Sequence, residues 1–332
     1  IDGCITFFSN GGAFTGLPAG NYDICVRDSH GCTTNGTTIL ISQPASAITI
    51  GSIISTNVSC FGGADGTITI SSVTGGNGGY EYSIDGGNTY AANGGLFTGL
   101  TAGSYDITVR DSEGCTRTGG TIIISEPMAL TIDDISTENI GCFGDNDGTI
   151  TISVSGGTPP YRYSIDNCVT FFSNSGFFSG LSRGNYQVCV RDANGCVQTG
   201  GTVTISGPTS RLEITGVSRQ DAICAGVDNG RITISAAGGT SPYAYSIDGG
   251  ISFLNNGGQF NTVGAGTYLP SVRDAGGCIV NGDPVTVAEP DPIIIVSATS
   301  SPTCFGINDG MVTVVAQGGT GTLTYTLNPG GL

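Results

Sequence analysis

Apolar and polar residues alternate in short runs along the whole chain, and no segment carries the 3.6-residue period of a helix. In GTITISVS, Gly148 to Ser155, a period of two sets Ile150, Ile152 and Val154 on one face. YRYSID groups Tyr161, Tyr163 and Ile165, and YQVCVRD turns Tyr186, Val188 and Val190 inward with Cys189 on the other face. An extended segment from Leu130 to Cys142 precedes these runs and Val203 to Ser206 closes the set. The clusters GGTPP, SRGN and DANG separate them with turn-forming residues. Six or seven short strands in about 80 residues predict an all-β sandwich of the immunoglobulin or fibronectin kind.

The pattern recurs. GCTTNGTTILISQP (Gly31 to Pro44) returns as GCTRTGGTIIISEP, GCVQTGGTVTISGP and, more weakly, GCIVNGDPVTVAEP. Its Cys falls at 32, 115, 196 and 278, while a second Cys, in CFGGADG, CFGDNDG, CAGVDNG and CFGINDG, falls at 60, 142, 224 and 304. A period of about 82 residues predicts a tandem array. Residues 1–44 are the C-terminal part of one repeat; 45–127, 128–208 and 209–290 are complete repeats; 291–332 are the N-terminal part of another. The chain begins inside a recurring motif, so it reads as a window on a longer or processed polypeptide. A corner motif, Leu17 to Tyr22, recurs at Leu100 to Tyr105, Leu181 to Tyr186 and Val263 to Tyr268. It sets Tyr22, Tyr105, Tyr186 and Tyr268 where a hydroxyl can bond the preceding corner.

Composition narrows the chemistry. The net charge is −16, all ten basic residues are Arg, and only 11% of residues are charged. With no Lys there is little to neutralise phosphates, so nucleic acid is not an expected partner. No run approaches the roughly 18 apolar residues of a membrane helix, so no membrane insertion is expected in this segment. One His, His30, and no Trp leave no support for a Ser-His-Asp site. The acidic residues recur with the repeat, unlike a single pair of catalytic carboxylates. The expectation is a non-enzyme.

The twelve Cys lack zinc-type spacing, and disulfides imply an oxidising, extracellular compartment. Cys4 and Cys168 follow the third strand, Cys25 and Cys189 sit in the penultimate strand, and the separation is 21 in both cases. In the alternate repeats both positions lose Cys together, to Gly87 with Thr108 and to Gly250 with Ser271. Neighbouring strands then predict Cys4–Cys25 and Cys168–Cys189, each contributing about 3 kcal/mol in the chain-entropy model.

The other eight, Cys32, Cys60, Cys115, Cys142, Cys196, Cys224, Cys278 and Cys304, leave three schemes open. Pairing within repeats joins Cys60–Cys115, Cys142–Cys196 and Cys224–Cys278. Strands of seven residues, however, hold a first loop and its own last hairpin about 20–25 Å apart, and a disulfide needs Cα atoms within about 7 Å. Pairing across a junction gives Cys60–Cys196 and Cys142–Cys278. A third scheme joins Cys32–Cys60, Cys115–Cys142, Cys196–Cys224 and Cys278–Cys304. The lean is to pairing across junctions.

Asp65, Asp147, Asp228 and Asp309 recur in the first loop, and Asp28, Asp111, Asp192 and Asp274 in the Arg-Asp hairpin. Turn capping is the main reading. Calcium at the first-loop set is the weaker one, because six oxygen ligands are needed and DNDG, Asp145 to Gly148, is followed by no Glu at EF-hand distance. No other cofactor is expected. The aromatic runs ITFF and VTFF, with counterparts NTYA and ISFL, read as core.

CFGGADGTITI, GGYEYSIDGG and GLTAGSYDITVRDSEGC, taken together, resemble the SprB repeat of gliding-motility adhesins and other giant surface proteins of Bacteroidetes. The resemblance covers every repeat and implies a long cell-surface filament exported by the type IX secretion system. With the disulfides and short Pro-bounded linkers, the expected role is the shaft or stalk of an extracellular adhesive filament. Its partners are further repeats of the same chain and neighbouring filament chains. Two other readings are polyvalent binding of surface polysaccharide and a subunit of a self-assembling polymer.

Overall fold

The computed structural model describes residues 4–301, 305–307 and 309–328. It is all-β: among the described residues there is no helix, and so none long and apolar enough to cross a membrane. The chain divides into two compact units. One holds the residues up to Thr131 with Gly156–Pro159 and Asp192–Cys196; the other holds Ile132–Ser155, Pro160–Arg191 and the residues from Val197 onward.

In the first unit, strands Ser52–Thr56, Gly66–Ser71 and Leu96–Leu100 form one antiparallel sheet. Glu81–Ser83, Gly103–Arg110 and Thr116–Ile124 form the other, with the long central strand paired on both sides. This two-sheet order is that of an immunoglobulin- or fibronectin-like sandwich. The alternation of GTITIS buries Gly66, Ile68 and Ile70 and leaves the Thr and Ser positions half-covered. Ile68 and Ile70 meet Ile107, Val109, Ile124 and Tyr82 from the facing sheet, closed at the ends by Ile48 and Val58. Each such Ile contributes about 1.5–3 kcal/mol by leaving water. This is a thin core.

The second unit repeats the order. Thr131–Glu138, Gly148–Ser155 and Phe177–Leu181 make one sheet, and Arg162–Ser164, Gly184–Arg191 and Val197–Ile205 another. Glu213–Gln220, Gly230–Ala237 and Gln259–Val263 follow, facing Ala244–Ser246, Ser271–Arg273 and Ile279–Asn281. Here the long strands break, and Gly266–Tyr268 pairs separately with Val285–Val287. Pro270 and Pro284 explain the breaks, since neither can donate to a ladder.

Two strand assignments differ from the sequence expectation. Phe177–Leu181 (FFSGL) is a strand that alternation does not reveal, because Gly180 interrupts it. The last strand starts at Val197 rather than Val203, and continues through a bulge at Thr-Gly-Gly. In the second repeat that bulge places Gly119 where a Cβ would lie 2.8 Å from both Ile107 Cγ2 and Ile53 Cδ1, and sets Gly120 at φ +87°. Only glycine fits both demands.

Candidate functional site: the Arg-Asp hairpin and the first loop

The hairpin carrying the first Cys column is built on a buried aspartate. Asp192 Oδ1 accepts the N–H of Asn194 at 3.0 Å and of Cys196 at 2.9 Å, while Oδ2 accepts the N–H of Thr158 at 2.9 Å. Asp274 does the same with Cys278 and Thr240, and Asp111 with Cys115 and Asn77. A carboxylate with only 2% exposure, as at Asp111, must be satisfied by such donors. The backbone N–H of Asn77, foremost, holds the Asp111 carboxyl below the usual carboxylate range. The neighbouring Arg does separate work. Arg27, Arg110, Arg191 and Arg273 lie over the rings of Phe7, Tyr90, Phe171 and Phe253, 4.2–4.6 Å from the centroids. The runs expected in the core therefore lie at the surface: Phe8, Phe172 and Leu254 are exposed, and the stacked rings are only half-covered.

The first loop is capped locally. Asp65 accepts the Ser59 N–H at 2.9 Å, and hydrogen bonding from Ser59 lowers its pKa. Asp147 accepts the Gly141 N–H at 3.2 Å. In the fourth repeat Asn229, not Asp228, takes this position, accepting the Ile223 N–H at 2.8 Å. The alignment of Asp228 with Asp65 was therefore one residue out: in CAGVDNG it is the Asn that precedes the strand glycine. Asp309 is exposed. Among the described residues no three His, Cys, Asp or Glu side chains are gathered to hold a metal.

The structure joins the two elements. Cys60 of the first loop forms a disulfide with Cys196, and Cys142 one with Cys278, each with Cα atoms 5.7 Å apart and 136 positions apart in sequence. Asn194 Nδ2 donates to the Ser59 carbonyl at 2.8 Å beside the first, and Cys196 Sγ lies 3.5 Å from that oxygen. Cys278 Sγ lies 3.5 Å from the Gly141 carbonyl at the second. The within-repeat pairs Cys60–Cys115 and Cys142–Cys196, and the pairs Cys32–Cys60 and Cys115–Cys142, are not formed; Cys32, Cys115 and Cys224 are free and exposed. Cys304 lies outside the described residues. Cys4–Cys25 and Cys168–Cys189 are joined, with Cα separations of 5.8 and 5.4 Å. Cys189 points away from the core alternation yet is buried.

Two further devices fix the corners. Tyr22, Tyr105, Tyr186 and Tyr268 each donate the hydroxyl to the carbonyl four residues earlier, at 2.6–3.0 Å. After the third strand, Asp166 accepts the Ser164 hydroxyl at 2.6 Å and the Thr170 N–H at 2.9 Å. Those bonds, Ser164 first, lower its pKa to about 2. Asp85 and Asp248 are lowered in the same way, chiefly by the Thr89 and Ser246 hydroxyls respectively. A depressed folded-state pKa stabilises above the unfolded value, about 3.9, and the contribution disappears as pH falls through the folded one. The turn at Asp166 is accordingly expected to persist at pH 3 and open near pH 2. The Thr170 amide shift in an NMR titration reads this; a midpoint near 4 would contradict it.

The SprB repeat model matches residues 52–89, 135–170, 217–251 and 296–332. The first three matches each end before the tyrosine corner and the hairpin that follow them. Among solved structures, the N-terminal eight Ig domains of Down Syndrome Cell Adhesion Molecule are similar at 12% identity and TM-score 0.32, covering 82% of this chain and 40% of that one. The chain thus spans under half of that structure. The FN1–FN3 domains of chicken CNTN1 are similar at 13% identity and TM-score 0.27, covering 75% and 100%. A fragment of intimin, solved with the intimin-binding domain of its translocated receptor, is similar at 20% identity and TM-score 0.29, covering 50% and 67%. No curated protein matches the chain. Four SprB repeats are thus detected along the chain, in step with the array.

Proposed function

We propose that this chain is part of the shaft of an extracellular adhesive filament, non-catalytic, with sandwich repeats at 45–127, 128–208 and 209–290. One observation carries the reading: the first loop of one repeat is bonded to the hairpin of the next, twice, at the same spacing. Such bonds reinforce the array against load along its length and serve no evident purpose in an isolated binding module. The Arg-aromatic stacks support it too, since the guanidinium covers the ring face a sugar would need. Gliding motility and type IX export follow from the family resemblance, as does placement at the cell surface.

A second reading, polyvalent polysaccharide binding, is favoured by one feature. Phe61 and Phe143, beside the stapled first-loop Cys, are 60% and 47% exposed, and Phe305 repeats the position. Ala225 interrupts that column in the fourth repeat. Titration of the chain with surface polysaccharide separates the two. The shaft reading predicts no saturable binding. Saturable binding lost in a Phe61→Ala, Phe143→Ala double variant would establish the second.

A further inference from the structure

The three cysteines that are free among the described residues share backbone anchoring with the bonded ones. In the bonded hairpins, Asp192 and Asp274 Oδ1 accept the N–H of Cys196 and Cys278 at 2.9 Å. In the unbonded ones, Asp28 and Asp111 accept the N–H of Cys32 and Cys115 at 2.8 Å. All four Asp N–H groups donate back to the Cys carbonyl at 3.0 Å. The first loops agree as well. At bonded Cys60, the Gly62 N–H donates to Glu126 and the Ser59 N–H to Asp65; at free Cys224, the Gly226 N–H donates to Glu289 and the Ile223 N–H to Asn229. The free cysteines therefore sit among the same anchoring hydrogen bonds as their bonded equivalents.

The bonded pairs also set a direction. A first-loop Cys reaches the hairpin of the repeat that follows, 136 positions on. Counting the same interval forward from Cys224, or back from Cys115 and Cys32, leads outside residues 1–332. The nearer candidates are already taken, because Cys196 and Cys278 hold Cys60 and Cys142.

We propose that Cys224, Cys115 and Cys32 are open half-staples that dock a further SprB repeat: the loop at Cys224 receives an Arg-Asp hairpin, and the hairpins at Cys115 and Cys32 receive a Cys-Phe-Gly type loop. The interface is continuous with one formed twice within the chain. The closing step joins two thiols into a disulfide; both protons and two electrons pass to a small-molecule disulfide or a thiol oxidase, which is reduced in turn. The inference rests on the connectivity of the two staples and not on the mechanical reading, and it holds equally for a glycan-binding array.

The test is made on the protein isolated without reductant, with thiols alkylated during lysis, by non-reducing peptide mass spectrometry. Alkylation at Cys224 and Cys115 is expected to be near zero. Cys224 is expected in linkage to a hairpin peptide other than those of Cys196 and Cys278, and Cys115 to a first-loop peptide other than those of Cys60 and Cys142. Reduction then identifies the source of the docked repeat. An unchanged mass places it in the same polypeptide, and a drop by whole-chain steps places it in a second copy. Quantitative alkylation at both positions, or linkage of Cys224 to Cys196 or of Cys115 to Cys142, would overturn the proposal.

Discussion

Pulled between Cys60 and Cys278 in a non-reducing buffer, the chain is expected to yield only about 190 Å of contour before it becomes inextensible. The polypeptide between these residues is 218 positions long, about 750 Å when fully extended. With both staples closed, the covalent route runs from Cys60 to Cys196, back along 54 positions to Cys142, and across to Cys278. Three quarters of the segment is then shielded from force. The Cys60→Ser variant opens one staple and lengthens the route to 82 positions, about 280 Å. Reductant restores the full length. Single-molecule force spectroscopy reads all three values, and equal contours with and without reductant would contradict the account. Thermodynamically, each staple closes a loop of 136 positions, worth about 5 kcal/mol in the chain-entropy model. For small domains with thin cores that is comparable with their whole stability.

The second large effect is expected at Gly238. Its φ is +77°, and a Cβ there would lie 1.9 Å from the Arg211 carbonyl oxygen. Gly238→Ala adds a left-handed backbone penalty of about 1–2 kcal/mol to a collision with main chain that cannot move aside. A total of at least about 3 kcal/mol follows. Gly277, at φ +87°, has nothing within 4 Å of its Cβ position, so Gly277→Ala carries the backbone penalty alone. Denaturant unfolding of the two variants separates the contributions, and equal losses would refute the collision. The effect reaches the staple. The turn after Gly238 presents the Thr240 N–H to Asp274, which also holds the Cys278 N–H. Gly238→Ala should therefore make Cys142–Cys278 the more easily reduced of the two junction disulfides.

Strand positions are legible in this sequence wherever apolar residues alternate, as in GTITISVS, because one face of each strand meets the thin core and the other meets solvent. They are illegible where glycine interrupts the alternation, as in FFSGL. The tyrosine hydroxyl bonds are local, four residues long, and so follow from the corner motif itself. Asn229 escaped because Asp228 was matched to Asp65 by residue type; five positions on from the Cys, or one before the strand glycine, the residue is Asn229. The Arg-aromatic stacks involve residues about 20 positions apart, brought together only by adjacent strands. The connectivity of the invariant cysteines was undetermined for a stronger reason. Every repeat presents the same two columns, so spacing alone supports three schemes, and the choice depends on which ends of successive sandwiches meet.

The most direct measurement is a non-reducing disulfide map of the chain, with a protease that cuts between every pair of cysteines. The account predicts cross-linked peptides joining Cys60 to Cys196 and Cys142 to Cys278, beside local Cys4–Cys25 and Cys168–Cys189 bonds. Cys60 joined to Cys115 and Cys142 to Cys196 would make each repeat a separate bead and contradict it.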